Sequence, residues 1–319
     1  MYSKGMKILI LGMKTTFVLA LHLFLEELPY PHFLRFSDEK EVKRGIYLQR
    51  PIDAISDGIR LFVADDEGLC VYLITDHGVS IIGGKGTGPG YFRNQPERLE
   101  LKDETLLVHE FNFWDVSGFS LDGTFLWHRK NADRSIRHAI TANGITINEY
   151  LPINGSPSFG RNDCFFGFLE AEEPARIKSA FQLAIGDDGT VVMAHGMGRL
   201  ATVDKSCHVT DIMALNLLGM AKEPEPISGG FLRLNRRKIQ LFTEGVPLIA
   251  IAAKSVSKVW VLVRNEKNDQ RFLYEVDLNL KEIVFKVPLE HAFDQLRYAN
   301  GVLLLLSRAD AIVEGYRVR

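Results

Sequence analysis

From about Phe33 to the C-terminus the chain alternates short apolar runs with turn dipeptides. Asp57-Gly58 lies between PIDAIS and IRLFVAD, and Asp103-Glu104 between ERLELK and TLLVHE. Asn143-Gly144 divides HAITA from ITINEY, and Asp188-Gly189 divides FQLAIGD from TVVMAH. Ser255-Val256-Ser257 separates PLIAIAAK from KVWVLV, and Asn300-Gly301 separates DQLRYA from VLLLLS. Asn-Gly and Asp-Gly supply the positive φ angles of a two-residue hairpin turn, so each pair of runs predicts two antiparallel strands. No helical period runs through this region, and the expected class is all-β.

The spacing of the turns sets the architecture. Successive hairpins recur about every 40–46 residues, with one longer step, which makes six units of the size of a four-stranded propeller blade. The long step holds an insertion at roughly Leu217 to Glu244 that includes KEPEPISGG. A second turn inside several units (His77-Gly78, Asp122-Gly123, Lys205-Ser206, Asn279-Leu280) divides a third strand from a fourth. The last unit has only the run Ala311 to Val318 after VLLLLS, enough for a third strand. An unassigned strand within Phe33 to Leu48 would supply its fourth, because closing a ring this way removes two exposed sheet edges. The expectation is a six-bladed β-propeller of four-stranded antiparallel blades over residues 31–319, closed by an N-terminal strand.

Gly83-Gly84-Lys85-Gly86-Thr87-Gly88-Pro89-Gly90-Tyr91-Phe92, followed by Pro96, resembles the linker between NHL repeats, and PIDAISDGIRLFVADDEGLCVYLITDHG before it resembles the body of such a repeat. The resemblance covers Pro51 to Pro96; beyond that unit it persists as strand-and-turn rhythm. The glycine run does not end in Gly-Lys-Ser/Thr and opens no amphipathic helix, so it lacks the parts of a phosphate loop. Glycines here let the chain cross the crowded gap between blades.

The N-terminus departs from this pattern. Lys4 and Lys7 precede an apolar stretch from Ile8 to Leu25 that is broken by Lys14 and followed by Glu26, Glu27, Pro29 and Pro31. That is the layout of an export signal, in its sharper form starting at Met13, although no small-x-small pair follows Leu25. A membrane anchor would be short of the ~20 apolar residues of a span, and a buried N-terminal helix is the third reading. Residues 1–30 are therefore expected to direct the chain out of the cytoplasm, to a periplasmic, secreted or envelope-anchored location.

Composition narrows the partners. At 46% apolar and 24% charged the 319 residues match a soluble globular protein, and a net charge of −2 gives no field that would draw nucleic acid. The three cysteines, Cys70, Cys164 and Cys207, form no CxxC pattern or disulfide framework, and read as small apolar fillers.

Candidate chemistry sits where second strands end. The resemblance implies ligand sites around the central channel, on the face where second-to-third-strand and inter-blade loops emerge. The second-strand ends are Asp65 and Asp66, His109 and Glu110, Glu149, His195, Arg264 and Arg308. His109 and His195, with Glu110, Glu149 or Asp65, offer ligands for Zn²⁺ or Ca²⁺. Some propellers resembling this chain are lyases or hydrolases with a channel metal. Strand ends favour polar residues whatever the function, so solvated loop residues and turn caps stand beside that reading. Arg129, Lys130, Arg134 and Arg137, with His128 and His138, are expected in the second inter-blade loop, where an anion or glycan could dock. Arg233, Arg236, Arg237 and Lys238 fall in the insertion, and Leu151 to Asn162 is expected to overhang the binding face as a lid. Asp187-Asp188-Gly189 lacks the acidic alternation of an EF-hand, and no Ser or Cys has a GxSxG frame. The leading expectation is a monomeric, non-catalytic propeller that binds a protein, peptide or glycan. The alternative is a metal-dependent lyase or hydrolase.

Overall fold

The segment LFVAD is buried along its whole length, as is VLLLLS. A strand is apolar on both faces when sheets cover it on both sides. Stacking sheets around an axis does this to their middle strands. The computed structural model describes Leu25–Glu27 and residues 48–111, 115–130, 136–142, 145–150, 157–161, 164–168, 182–195, 199–214, 226–234, 237–242, 248–264 and 269–318. Strands are numbered in chain order from β1 (Leu25–Glu27).

Blade I is β2 (Pro51–Ser56), β3 (Leu61–Asp65), β4 (Cys70–Thr75) and β5 (Gly78–Gly83). Blade II is β6 (Pro96–Lys102), β7 (Thr105–Glu110), β8 (Asp115–Ser120) and β9 (Phe125–Lys130). Blade III is β10 (Ile136–Ala142), β11 (Ile145–Tyr150), β12 (Pro157–Arg161) and β13 (Cys164–Phe168). Blade IV is β14 (Gln182–Ile185), β15 (Val191–His195), β16 (Arg199–Val203) and β17 (Val209–Ala214). A separate hairpin, β18 (Pro226–Leu234) with β19 (Arg237–Phe242), follows within the expected insertion. Blade V is β20 (Leu248–Ser255), β21 (Lys258–Arg264), β22 (Arg271–Asp277) and β23 (Glu282–Pro288). Blade VI is β24 (Gln295–Ala299), β25 (Val302–Ser307) and β26 (Ile312–Val318), with β1 as the fourth strand of the sheet.

Each sheet is an antiparallel meander, and the first strands β2, β6, β10, β14, β20 and β24 each contact the next, with β24 returning to β2. The fold is a six-bladed β-propeller. Because β14 contacts β20 directly, the β18–β19 hairpin stands outside the ring of inner strands. Burial falls outward: β4 is buried except at its last residue, whereas in β5 Ile82 is the one buried residue. Facing sheets share apolar layers. Phe62 and Val71 of blade I meet Leu99, Val108 and Phe119 of blade II, and Trp260 and Leu273 of blade V meet Leu303 and Leu305 of blade VI.

The turns behave as their residues require. Asn300 and Gly301 both have positive φ (50° and 78°), and so do Asp103 and Glu104 (47° and 58°), the conformation of a two-residue hairpin matched to strand twist. The glycine linker curls round Phe92, which is fully buried and meets Phe119 edge-to-face at 5.9 Å. Gly83 has φ +82°, and a Cβ there would overlap the Phe92 ring.

Four expectations need correcting. Cys164 and Cys207 are not apolar fillers: they form a disulfide, Cα–Cα 5.8 Å, that staples the outer strand of blade III to the β16–β17 turn of blade IV. Lateral packing of two blades brings together sulfurs 43 residues apart, which no local motif announces. Cys70 alone is free, and buried. The expected lid at 151–162 contains β12, a third strand paired with β11 and β13, while residues 151–156 lie outside the described part. The supposed basic loop is mostly strand, with His128, Arg129 and Lys130 in β9 and Arg137 and His138 in β10; Arg134 lies outside the described residues. The fourth correction concerns blade VI. The segment Phe33 to Leu48, expected to supply its last strand, lies outside the described residues except for buried Leu48, and the residues paired to β26 are Leu25–Glu27, Leu25 opposite Val318.

Candidate functional site

An inner strand of a propeller pairs on one side only. Its other edge, with its backbone N–H and C=O groups and alternate side chains, faces the axis. In this chain the axis encloses a cavity of about 500 Å³ lined by β2, β6, β14, β20 and β24. That lies within the range of small-molecule sites. Its wall is divided. Leu183 and Ile185 of β14 and Ile249 and Ile251 of β20 make an apolar sector. Asp53 of β2, Arg98 of β6 and Arg297 of β24 make a charged one.

Within the charged sector, Asp53 and Arg297 form a latch across three blades. The Asp53 carboxylate accepts a hydrogen bond from the Arg297 guanidinium. The same Asp53 oxygen accepts the Leu99 N–H at 2.7 Å. Arg297 Nη2 donates to the Leu99 carbonyl at 2.6 Å. One carboxylate and one guanidinium thus satisfy edge groups of β6 from β2 and β24. Arg98, one residue before Leu99, is placed differently. Its backbone pairs with His109 of β7, but among the described residues its guanidinium makes no hydrogen bond or ion pair. Burial and then the Arg297 charge push its pKa down, and the charges of Asp53, Glu149 and Glu100 oppose that fall.

One mouth carries Glu149, Asp294 and Arg308, with Arg308 Nε 3.6 Å from Asp294. Burial raises the Asp294 carboxyl above its ordinary range, and Arg308 opposes this. Toward the other end, the Tyr298 hydroxyl donates to Asp187 at 2.6 Å, tying blade VI to blade IV past blade V. Burial and the adjacent Asp187 both raise the Tyr298 pKa. The Asn300 side-chain amide donates to the Ser56 carbonyl at 2.9 Å, tying blades VI and I at the same end.

The fold has known counterparts. The chain is similar to a member of the DUF4221 family from Bacteroides vulgatus ATCC 8482, at 9% identity and TM-score 0.54 over 85% of this chain and 92% of that one. It is also similar to a luciferin-regenerating enzyme, at 8% identity and TM-score 0.51 over 87% and 93% of the two chains. At these identities the likeness is one of fold. No family model matches the chain, and no curated relative does.

The residues at second-strand ends divide into three groups. Asp65 and Glu110 are buried braces. Asp65 Oδ2 accepts the N–H groups of Gln49 and Arg50 at 2.6 and 3.1 Å, and Oδ1 accepts that of Gly68 at 2.7 Å. Glu110 Oε2 accepts those of Arg93 and Asn94 at 2.8 and 2.7 Å. Asp310 repeats the device in blade VI by accepting the Ala292 N–H at 3.0 Å. Each carboxylate anchors the segment that enters its own blade, so a structural need explains it. Asp66 is likewise taken up, by Arg50 Nε at 2.6 Å.

His109 is buried 3.2 Å from Glu100, and Arg264 stands on the surface 3.9 Å from Asp269. The His195 side chain lies outside the described part. Among the described residues no group of three His, Cys, Asp or Glu side chains is placed to hold a metal ion. Among those of the eight whose side chains are described, Glu149 and Arg308 reach the cavity wall.

Asp53, Arg98 and Arg297 were not singled out in the sequence, yet a signal for them exists. Each is the third residue of its blade's inner strand, after Pro51-Ile52, Pro96-Glu97 and Gln295-Leu296. A charge recurring at one register of the innermost strand points to the axis.

Proposed function

We propose that this protein is a non-catalytic binding propeller of the NHL-repeat kind, working outside the cytoplasm and taking an amphiphilic small ligand into its central channel. The observation that carries the reading is the divided wall of the channel. The β14 and β20 side is apolar, and the other presents a guanidinium with no hydrogen bond or ion pair among the described residues. Ligand sites combine apolar enclosure with a few placed polar groups, and this cavity has both. The Gly83–Phe92 linker, with its buried aromatic and forced glycine, supports the NHL comparison. The Cys164–Cys207 disulfide supports an oxidising compartment, since such bonds are rare where glutathione keeps thiols reduced. The basic and then apolar N-terminus points the same way.

Gln295 lines the cavity two residues before Arg297 on β24, outside the latch. A thermal-shift screen of amphiphilic small molecules, run on the wild type and on Gln295→Trp, tests the reading. Compounds that stabilise the wild type are expected to lose their effect when the indole occupies the channel. Equal stabilisation of both proteins, or no stabilising compound at all, would count against a channel site.

A further inference from the structure

We propose that the channel ligand carries an organic oxyanion, a carboxylate above all, seated on the Arg98 guanidinium with its apolar body along β14 and β20. This rests on the reading of the channel as the ligand site, and adds what that ligand must be.

The charges of the wall are committed one by one. Asp53 is held by Arg297 and the Leu99 N–H, Asp294 faces Arg308, and Asp187 receives the Tyr298 hydroxyl. Glu100 stands beside His109. Glu97 and Glu149 have contacts of their own. Arg98 is the cavity-lining cation with no counter-ion at contact distance among the described residues. No lysine among the described residues lines the cavity.

A guanidinium in a half-buried wall, beside a second guanidinium, is in a costly place unless an anion joins it. Its planar fork of N–H donors matches the two oxygens of a carboxylate, which can accept two parallel hydrogen bonds. The ligand's body follows from the opposite wall. Leu183, Ile185, Ile249 and Ile251 offer nothing to an inorganic anion, and bury an alkyl or aryl chain. A cation of the same shape would have to approach Arg98 and Arg297 together.

The test uses three probes of one chain length: octanoate, 1-octanol and octylammonium. Each is titrated calorimetrically into the full chain and into Arg98→Gln and Arg98→Lys. Octanoate is expected to bind at one saturable site, and Arg98→Gln to weaken it by about tenfold or more, the worth of a charge-assisted pair. Arg98→Lys should retain part of that affinity, and 1-octanol should bind both proteins alike. A measurement without variants gives the same answer: octanoate affinity in the wild type should fall to that of 1-octanol as the probe is protonated, toward about pH 4. Octanoate binding that ignores Arg98→Gln, or that persists on protonation, overturns the assignment. Octylammonium binding as tightly as octanoate also overturns it. Should 1-octanol or octylammonium bind best and be lost in Gln295→Trp, the channel remains the site and only the oxyanion falls. Binding of none of the three overturns both readings.

Discussion

The latch between Asp53 and Arg297 is where the ring can be tested most sharply, because it joins three blades through two side chains. Their exposures are 11% and 15%, so water screens the pair little. Arg297→Ala would leave the Asp53 carboxylate with the Leu99 N–H alone, and the Leu99 carbonyl without its donor. Breaking a fully buried pair costs about 3–5 kcal/mol. The channel admits water to one side, which reduces this to about 2–3 kcal/mol by the same reasoning. With an unfolding entropy of about 2 cal/mol/K per residue, a chain of this size loses about 0.6 kcal/mol per degree. The midpoint should therefore fall by about 3–5 °C. Urea unfolding followed by tryptophan fluorescence, on Arg297→Ala, Asp53→Ala and the double variant, measures the coupling directly. Each single variant should lose about 2–3 kcal/mol, and the double variant distinctly less than their sum. Single losses under about 0.5 kcal/mol, or strict additivity, would refute the claim that these charges lock blades VI, I and II together.

Further outcomes follow from individual contacts. Replacing Cys164 and Cys207 by Ser should cost about 3–4 kcal/mol, the cross-link entropy of a loop of this length; reductant should lower the wild-type midpoint in the same way and leave the variant unchanged. Alkylation of the unreduced protein should label one thiol, Cys70, and only after unfolding. Glu110 is an acid whose pKa is raised in the folded state, by burial first and by Asp115 after it, against the Asn94 and Arg93 N–H groups. Its contribution is thus fully present below its ordinary value of 4.5 and lost as pH rises through the higher folded value. Glu110→Gln should flatten that segment of the stability–pH curve measured by denaturant titration. If the N-terminal residues complete blade VI, a chain beginning at Tyr30 should show faster amide exchange in β26 than one retaining Leu25–Glu27, whose residues lie opposite Tyr316 to Val318.

The rhythm of turns was legible because hairpin turns demand particular backbone angles, and Gly58, Gly123, Gly189 and Asn300-Gly301 all adopt positive φ. The positions of second-strand ends were legible for the same reason. The direction of their side chains was not. Asp65 and Glu110 face the segment entering their own blade instead of the axis, and that depends on how each linker returns past its sheet. The axial charges Asp53, Arg98 and Arg297 were hidden because a charged residue in PIDAIS, PERLELK or QLRYA reads as a solvent-facing position of a half-buried strand. Only the ring turns those positions inward. The Cys164–Cys207 pair arises from the packing of neighbouring blades, to which strand periodicity is blind.

A crystal structure of the protein with octanoate bound tests the channel most directly. The account predicts density along the axis, with carboxylate oxygens within hydrogen-bonding distance of the Arg98 guanidinium and the alkyl chain against Leu183 and Ile251. Density on an outer strand, on the β18–β19 hairpin, or in the channel with the carboxylate turned away from Arg98 would contradict it.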